Sequence, residues 1–192
     1  WPADAERVLL KLPKSNAFLS HLLYRLRSVM RPGCTLVTGG MTKHIHTSTL
    51  KIFETLIGPT TTSLAQKKAR LIFSRFDEHL TPSPPPYPHR YTVPEWDLDL
   101  TDHANVFSCG KVDRGTRILA QHLPDRAPGE NCIDLGCGNG LLGILWARKH
   151  TKQRITFIDE SLMAIASART NWQENISGAE HADFVANECL TG

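Results

Sequence analysis

Apolar positions along this chain switch between two spacings, and each switch marks an element. Val8-Leu9-Leu10 with Leu12 predicts a short buried strand over 7–12, after which apolar residues at 19, 22, 23, 26 and 29/30 recur on one face of a helix over 14–30. Pro32-Gly33 is expected to stop that helix ahead of a second strand over 34–38. Ser48 or Thr49 is placed to cap a helix whose apolar residues Leu50, Phe53, Leu56 and Ile57 end at Gly58-Pro59. Two β-rich runs, 60–64 and 69–76, predict an antiparallel hairpin, so the first region reads β-α-β-α-β-β.

The pattern breaks between 81 and 94, where Thr81-Pro82-Ser83-Pro84-Pro85-Pro86-Tyr87-Pro88 fits neither a helix interior nor a central strand and predicts a linker. Trp96–Leu100 and Val106-Phe107-Ser108 follow as short strands and 113–123 as a helix. Then comes regular alternation: strand 131–135, helix 140–150, strand 154–158, helix 161–175, strand 183–186. Alternation of this kind predicts an α/β fold with a parallel sheet buried on both faces. Domain boundaries are expected at 1–80, the linker 81–94, and 95–192. Because three parallel strands leave an edge unpaired, a composite sheet, completed by the strands of the first region, is a competing expectation.

The richest chemistry lies at Ile133-Asp134-Leu135-Gly136-Cys137-Gly138-Asn139-Gly140, where a strand ending in a carboxylate runs into alternating glycines. Such a loop turns sharply and lets a ligand touch main chain where a Cβ would clash. The overlapping Gly138-Asn139-Gly140-Leu141-Leu142-Gly143, with Asp159 21 positions after Gly138, fits a dinucleotide site by spacing. Charge favours another ligand. A pyrophosphate would meet the Asp134 carboxylate, whereas S-adenosylmethionine (SAM) carries no phosphate and presents a sulfonium and an ammonium that a carboxylate attracts. No Gly-Lys-Ser/Thr follows the loop, which excludes a Walker site.

Composition bounds rather than decides the function. The 192 residues are 41% apolar and 21% charged, an ordinary globular balance, and the formal charge of +3 permits nucleic-acid binding without requiring it. Five cysteines without a Cys-x-x-Cys pair predict free thiols in a reducing cytoplasm rather than a zinc site or disulfide framework. The apolar runs are too short to span a membrane, no signal region opens the chain, and a start at Trp1 rather than Met predicts a fragment or processed chain. His44-Ile45-His46 lacks a third ligand nearby, so no metal is expected.

Asp134-Leu-Gly-Cys-Gly-Asn-Gly140, Phe157-Ile-Asp-Glu-Ser161, Asn105-Val-Phe-Ser108 and Val112-Asp-Arg-Gly115 together resemble the ribosomal RNA guanine-N2 methyltransferases. His46-Thr-Ser-Thr-Leu50, Leu56-Ile-Gly-Pro-Thr-Thr-Thr62 and Lys67-Lys-Ala-Arg-Leu71 are similar to the noncatalytic N-terminal domain of the 23S enzyme. The resemblance implies two class I, Rossmann-like methyltransferase domains in tandem, this chain starting inside the first and ending inside the catalytic second. Leu12-Pro13-Lys14-Ser15 would then stand at the degenerate counterpart of the catalytic tetrapeptide, and the active Asn-Pro-Pro-Phe is expected beyond Gly192. No catalytic residue is therefore expected within the chain.

Family roles map residue by residue. Asp134 would lie near the sulfonium or amino end of SAM, Gly136, Gly138 and Gly140 would admit the cofactor, and Asp159, with Glu160 as a rival, would accept the ribose hydroxyls. Asn187, with Glu188 as an alternative, would meet the adenine edge, and Phe107 and Asp113 would close over the cofactor. A capping aspartate and a core phenylalanine are the bland alternatives for the last pair. Pro84-Pro85-Pro86-Tyr87 has proline where an amine-methylating tetrapeptide needs a side-chain oxygen, so the segment reads as linker. Lys67, Lys68 and Arg70 are candidates for RNA phosphates or a solvated strand edge. The implied activity is SAM-dependent methylation of guanine N2 in 23S ribosomal RNA by a cytoplasmic protein. A binding module without catalysis and an NAD(P) oxidoreductase are the alternatives.

Overall fold

The computed structural model describes residues 5–125, 129, 131–177 and 182–187. Contacts divide the chain into two compact units, 1–86 and 87–192. The described strands form three sheets, none drawing strands from both units. The composite sheet expected from strand counting is thereby corrected: the first region satisfies its own strands in a four-stranded sheet.

In the first unit, β1 (Ala5–Lys11), α1 (Asn16–Leu26), β2 (Met30–Met41), α2 (Thr47–Leu56), β3 (Thr60–Thr62) and β4 (Ala69–Arg75) give the sheet order β1-β2-β4-β3. β1 and β2 are parallel, and β4 runs antiparallel to both β2 and β3. Ser15 caps α1 by accepting from the Phe18 N–H at 3.2 Å, and Leu19, Leu23 and Leu26 bring its apolar face onto Cys34 and Leu36 of β2 and Phe53 of α2. The predicted helix over 14–30 ends early, because a 3₁₀ turn at Arg27–Val29 leads straight into β2. Pro32-Gly33 sits inside that strand rather than before it. Pairing with β1 jumps from Ala5↔Met30 to Arg7↔Thr35, and pairing with β4 begins at Thr35, so the missing proline N–H falls in an irregularity where no ladder needs it. α2 starts one residue ahead of the predicted caps, and the Thr49 hydroxyl turns to His44 O and Asn16 Oδ1, each at 3.4 Å. Arg27 closes the far end, donating to Leu56 O and Leu80 O at 2.5 Å each with its guanidinium over the Phe76 ring.

In the second unit, β5 (His89–Val93) and β6 (Leu98–Asp102) form an antiparallel hairpin, followed by α3 (Arg114–Gln121). The last residues of the expected linker are thus a paired strand, while 81–88 have no regular structure. Residues 106–108, expected as a strand, lie in turns, with Ser108 at φ +57°. β7 (Asn131–Leu135), α4 (Leu141–Lys149), β8 (Arg154–Asp159), α5 (Leu162–Asn175) and β9 (Ala182–Ala186) complete it as a parallel sheet ordered β7-β8-β9. Phe157 of the central strand stacks on Phe184 (centroids 5.0 Å apart) and meets Trp172 edge-on (5.6 Å), tying β8, β9 and α5 into one core.

Two features depart from the expected parallel sheet. Burial of both faces is corrected: α4 and α5 cover one, while Ile133 and Leu135, which alternate with inward-facing Asp134, are 53% and 61% exposed. The second feature is a side-chain ladder. Asn175 Oδ1 accepts from Asp99 N (3.3 Å) while its Nδ2 donates to Asp99 O (2.8 Å), and Asn171 repeats the pattern on Thr101 at 2.7 and 3.1 Å. Ser167 Oγ then accepts from His103 N at 3.0 Å. Four helical residues rise about 6.0 Å and two strand residues about 6.6–6.8 Å, so an i, i+4 row on α5 stays in step with alternate residues of β6. Side-chain amides thereby do for this strand edge what a neighbouring strand would do.

Candidate functional site

The site is assembled where β7 and β8 end. Gly136, Gly138 and Gly140 adopt φ of +69°, +55° and +83°, conformations that L side chains rarely take. At Gly136 and Gly138 an added Cβ would meet nothing within 4 Å, so their absent side chains leave open space at the loop surface. The loop is fixed from below by main chain: Gly136 N and Cys137 N both donate to Ile158 O, at 2.8 and 3.0 Å. Gly143, one turn into α4, is a packing glycine instead, because a Cβ there would drive into the Phe157 ring.

Three of the expected residues are brought together by hydrogen bonds. Asp159 Oδ2 accepts from Gly138 N at 2.9 Å and Oδ1 from Ser161 N at 2.8 Å, so one carboxylate spans the glycine loop and the start of α5. Its main-chain oxygen accepts from Asn187 N at 3.0 Å, which sets Asn187 beside it at the end of β9. Glu160, the rival to Asp159, is exposed, and Glu188, the alternative to Asn187, lies outside the described residues. Asp134 points beneath the loop, accepting from Gly143 N at 2.9 Å. Burial pushes its carboxyl up to about 6, opposed by the Gly143 hydrogen bond and reinforced by the negative charge of Asp159.

Phe107 and Asp113 are placed differently. Phe107 is 79% exposed, which removes the core-phenylalanine alternative. Asp113 caps α3, accepting from Gly115 N at 2.8 Å, from Thr116 N at 3.2 Å and from the Thr116 hydroxyl. These bonds hold its carboxyl below the usual range and commit it to the helix start.

A buried polar network supports the loop, and the linear sequence did not single it out. Asn139 Oδ1 accepts from Leu141 N at 3.2 Å, while its Nδ2 donates to Asp102 Oδ1 at 2.9 Å and Tyr91 Oη at 3.1 Å. Asp102 is fully buried, and its other oxygen accepts from Gly110 N at 2.8 Å; burial raises the pKa of its carboxyl and of the neighbouring Tyr91 phenol alike. The Asn139 main-chain oxygen in turn accepts from Asn171 Nδ2 at 2.9 Å, joining the loop to the α5 ladder. Asn105 is bound to α5 as well, donating through Nδ2 to Ser161 Oγ (3.2 Å) and accepting from it at O (3.1 Å). The available signal was an i, i+4, i+8 row of Ser167, Asn171 and Asn175 on an otherwise packing helix.

Among the described residues no three His, Cys, Asp or Glu are grouped to hold a metal ion, and no helix is long and apolar enough to cross a membrane. The four described cysteines, Cys34, Cys109, Cys132 and Cys137, are free thiols, and Cys189 lies outside the described residues.

Comparison with known proteins bears out the resemblance read from the motifs. Residues 1–78 match the RLMG N-terminal domain family and residues 97–191 the methyltransferase small domain family. Ribosomal RNA large subunit methyltransferase G of Streptomyces avermitilis is 42% identical over 196 residues, covering 100% of this chain and 51% of that protein. The protein of the same name from Erwinia tasmaniensis is 43% identical over 197 residues, again 100% of this chain and 51% of the relative. This chain thus spans about half the length of these relatives. A solved structure, the T. thermophilus 16S rRNA N2 G1207 methyltransferase (RsmC) in complex with AdoMet and guanosine, is similar with a TM-score of 0.75 and 19% identity over 98% of this chain and 52% of that one, a likeness of fold. With both matches present in this order, the chain joins a segment of the RLMG N-terminal domain family to one of the methyltransferase small domain family.

Proposed function

We propose that this chain carries the SAM-binding part of a ribosomal RNA methyltransferase, and that the whole protein methylates the exocyclic N2 of a guanine in 23S RNA in the cytoplasm. Residues 1–80 are read as the later part of a noncatalytic methyltransferase-like domain, 81–94 as the linker and 95–192 as the earlier part of the catalytic domain. The reading rests chiefly on one observation: the left-handed Gly136 and Gly138, open to a ligand, follow closely on a half-buried strand-end carboxylate, Asp134, held by Gly143 N at the start of α4.

The residues present fit SAM. Gly136 and Gly138 offer main chain to a ligand where a Cβ would stand in its way, whereas a Cβ at Gly140 would press on Ala168 and the Phe157 ring, so that glycine serves the site by letting the loop turn into α4. Asp134, costly to ionise alone, gains from a cationic neighbour, which a pyrophosphate would not provide. Asp159 uses one acceptor position on each oxygen for Gly138 N and Ser161 N, leaving the remaining ones for vicinal hydroxyls. Asn187 is assigned to the adenine edge and the exposed Phe107 to a wall of the same site, while Asp113 contributes by capping α3 and Gly140 by turning the loop into α4. Bound there, SAM supplies a methyl group on a sulfonium, an electrophile for direct transfer to an amine.

Residues 1–192 contain no Asn-Pro-Pro-Phe to orient a guanine amine, so binding without transfer is the behaviour expected of this chain. Calorimetry of the chain with SAM, S-adenosylhomocysteine and NADH tests the site. SAM and S-adenosylhomocysteine are expected to bind and Asp134→Asn to weaken SAM; NADH binding without SAM binding would end the methyltransferase reading. Labelled methyl transfer to unmodified ribosomal RNA by the 192-residue chain alone would overturn the inactivity assigned to it.

A further inference from the structure

The first unit contains a cavity of about 1130 Å³ that the reading above leaves unused. It lies at the carboxyl ends of two parallel strands, the end at which open α/β sheets bind ligands. Lys11 closes β1 opposite Gly39 of β2, and Arg70, the second residue of β4, stands opposite Gly40, so main chain without side chains separates two cationic residues. Lys14 is the third cation of the lining, which includes no acidic residue. None of the three cations forms an ion pair among the described residues, and the buried Arg70 Nε has no hydrogen-bond partner there, its guanidinium reaching only Thr62 Oγ1 at 3.4 Å. The rest of the wall combines apolar Leu12, Met41, Leu64 and Leu71 with polar His44, Ser63 and Gln66, and Met41, Leu64 and Leu71 are substantially exposed (42%, 94% and 41%).

We propose that this cavity is a binding site for a 5′-phosphorylated nucleoside, taken either as a free mononucleotide or as one unit of an RNA strand. Inorganic anions would leave the apolar wall uncovered, and a fatty acid would use one cation and no polar edge. A nucleotide uses all of the features: a phosphate for Lys11 and Lys14, an acceptor for Arg70 Nε, a flat apolar base for Met41 and Leu71, and polar base edges for the main chain of Gly39–Gly40 and the Gln66 amide. The volume slightly exceeds the roughly 300–1,000 Å³ typical of small-molecule sites, leaving room for a nucleotide. The site belongs wholly to the first unit and does not depend on the methyltransferase reading of the second.

The test is amide NMR of the ¹⁵N-labelled 192-residue chain titrated with GMP, guanosine, inorganic phosphate and a 5′-phosphorylated single-stranded RNA hexamer. GMP is expected to shift the Gly39 and Gly40 amides and those of residues 63–71, with guanosine and phosphate each binding at least about tenfold more weakly. The exposed pair Lys11→Gln/Lys14→Gln is expected to raise the GMP Kd about tenfold with the rest of the spectrum unchanged, and Arg70→Lys to raise it several-fold. Hexamer binding at least about tenfold tighter than GMP would identify the source as RNA, and equal or weaker binding a free nucleotide. Shifts confined to Gly136–Gly140 and Asp159, no shift at 39–40 and 63–71 up to roughly 5 mM GMP, or unaltered affinity in the double lysine variant would overturn the site. Such a failure leaves SAM binding in the second unit untouched, so the two readings fail separately.

Discussion

Replacing Asn171 by alanine tests whether the amide ladder holds the β5–β6 hairpin on the second unit. Asn171 is fully buried, and its removal strands the Thr101 N–H, the Thr101 carbonyl and the Asn139 carbonyl, which it now pairs at 2.7, 3.1 and 2.9 Å. At about 0.5–1.5 kcal/mol net for each intramolecular hydrogen bond, the three together come to about 3 kcal/mol. Asn175→Ala removes an equivalent pair on Asp99, but at an exposed position where water replaces the amide, so less than about 1 kcal/mol is expected. Urea unfolding followed by tryptophan fluorescence reads this unit, since Trp96, Trp146 and Trp172 all belong to it and Trp172 is buried. With a urea slope of about 2 kcal/mol/M, Asn171→Ala lowers the midpoint by about 1.5 M and Asn175→Ala by less than about 0.5 M. Equal midpoints for the two variants would refute the argument that matched helix and strand rises make Asn171 a buried rung.

Other outcomes follow from the loop. Gly143→Ala, whose Cβ would collide with the Phe157 ring, is expected to cost about 1–3 kcal/mol in urea, whereas Gly138→Ala is expected to weaken SAM in calorimetry more than tenfold while costing only about 1 kcal/mol. Equal loss of stability in both would remove the distinction between a packing and a ligand-facing glycine. The Asp134 carboxyl, raised to about 6 in the fold against about 3.9 unfolded, is protonated in both states below about pH 4. Between those values the folded chain holds the extra proton. Its contribution to stability, about 2–3 kcal/mol, is therefore present at low pH and lost as pH rises through about 6; the difference in urea midpoint between Asp134→Asn and the parent should follow that window, and a constant difference would contradict it. SAM affinity should run the opposite way, increasing up to about pH 6 and then levelling because the cation needs the ionised carboxylate, with Asp134→Asn flat. Asn139→Ala, which leaves buried Asp102 without its amide donor, should weaken SAM without altering any residue assigned to contact it, as read by calorimetry.

Spacing was enough to predict strands and helices wherever one face is buried: 7–12, 154–158 and 161–175 were each legible because an apolar repeat reports a core, whereas 131–135 was legible from its alternation although its apolar residues Ile133 and Leu135 stay exposed. The Gly136–Gly140 loop and Asp159 were legible for a different reason, since φ-permissive residues and a strand-end acid leave local signatures. Strand 106–108 was misread because a short apolar pair carries no record of its partner, and no ladder forms there. Asp102, Tyr91 and Asn171 were missed, and Asn105 entered only as part of a motif without a role, because each acts through residues tens of positions away. The sequence by itself determined where the chain turns, which faces are apolar and which cofactor charge the loop tolerates. Only the tertiary structure decided that the two halves keep separate sheets, that Ile133 and Leu135 stay exposed, and that an amide row on α5 secures both the hairpin and the loop. Local conformational energy acts between neighbours in the chain, whereas hydrogen-bond satisfaction and burial are settled between whichever groups the fold brings together.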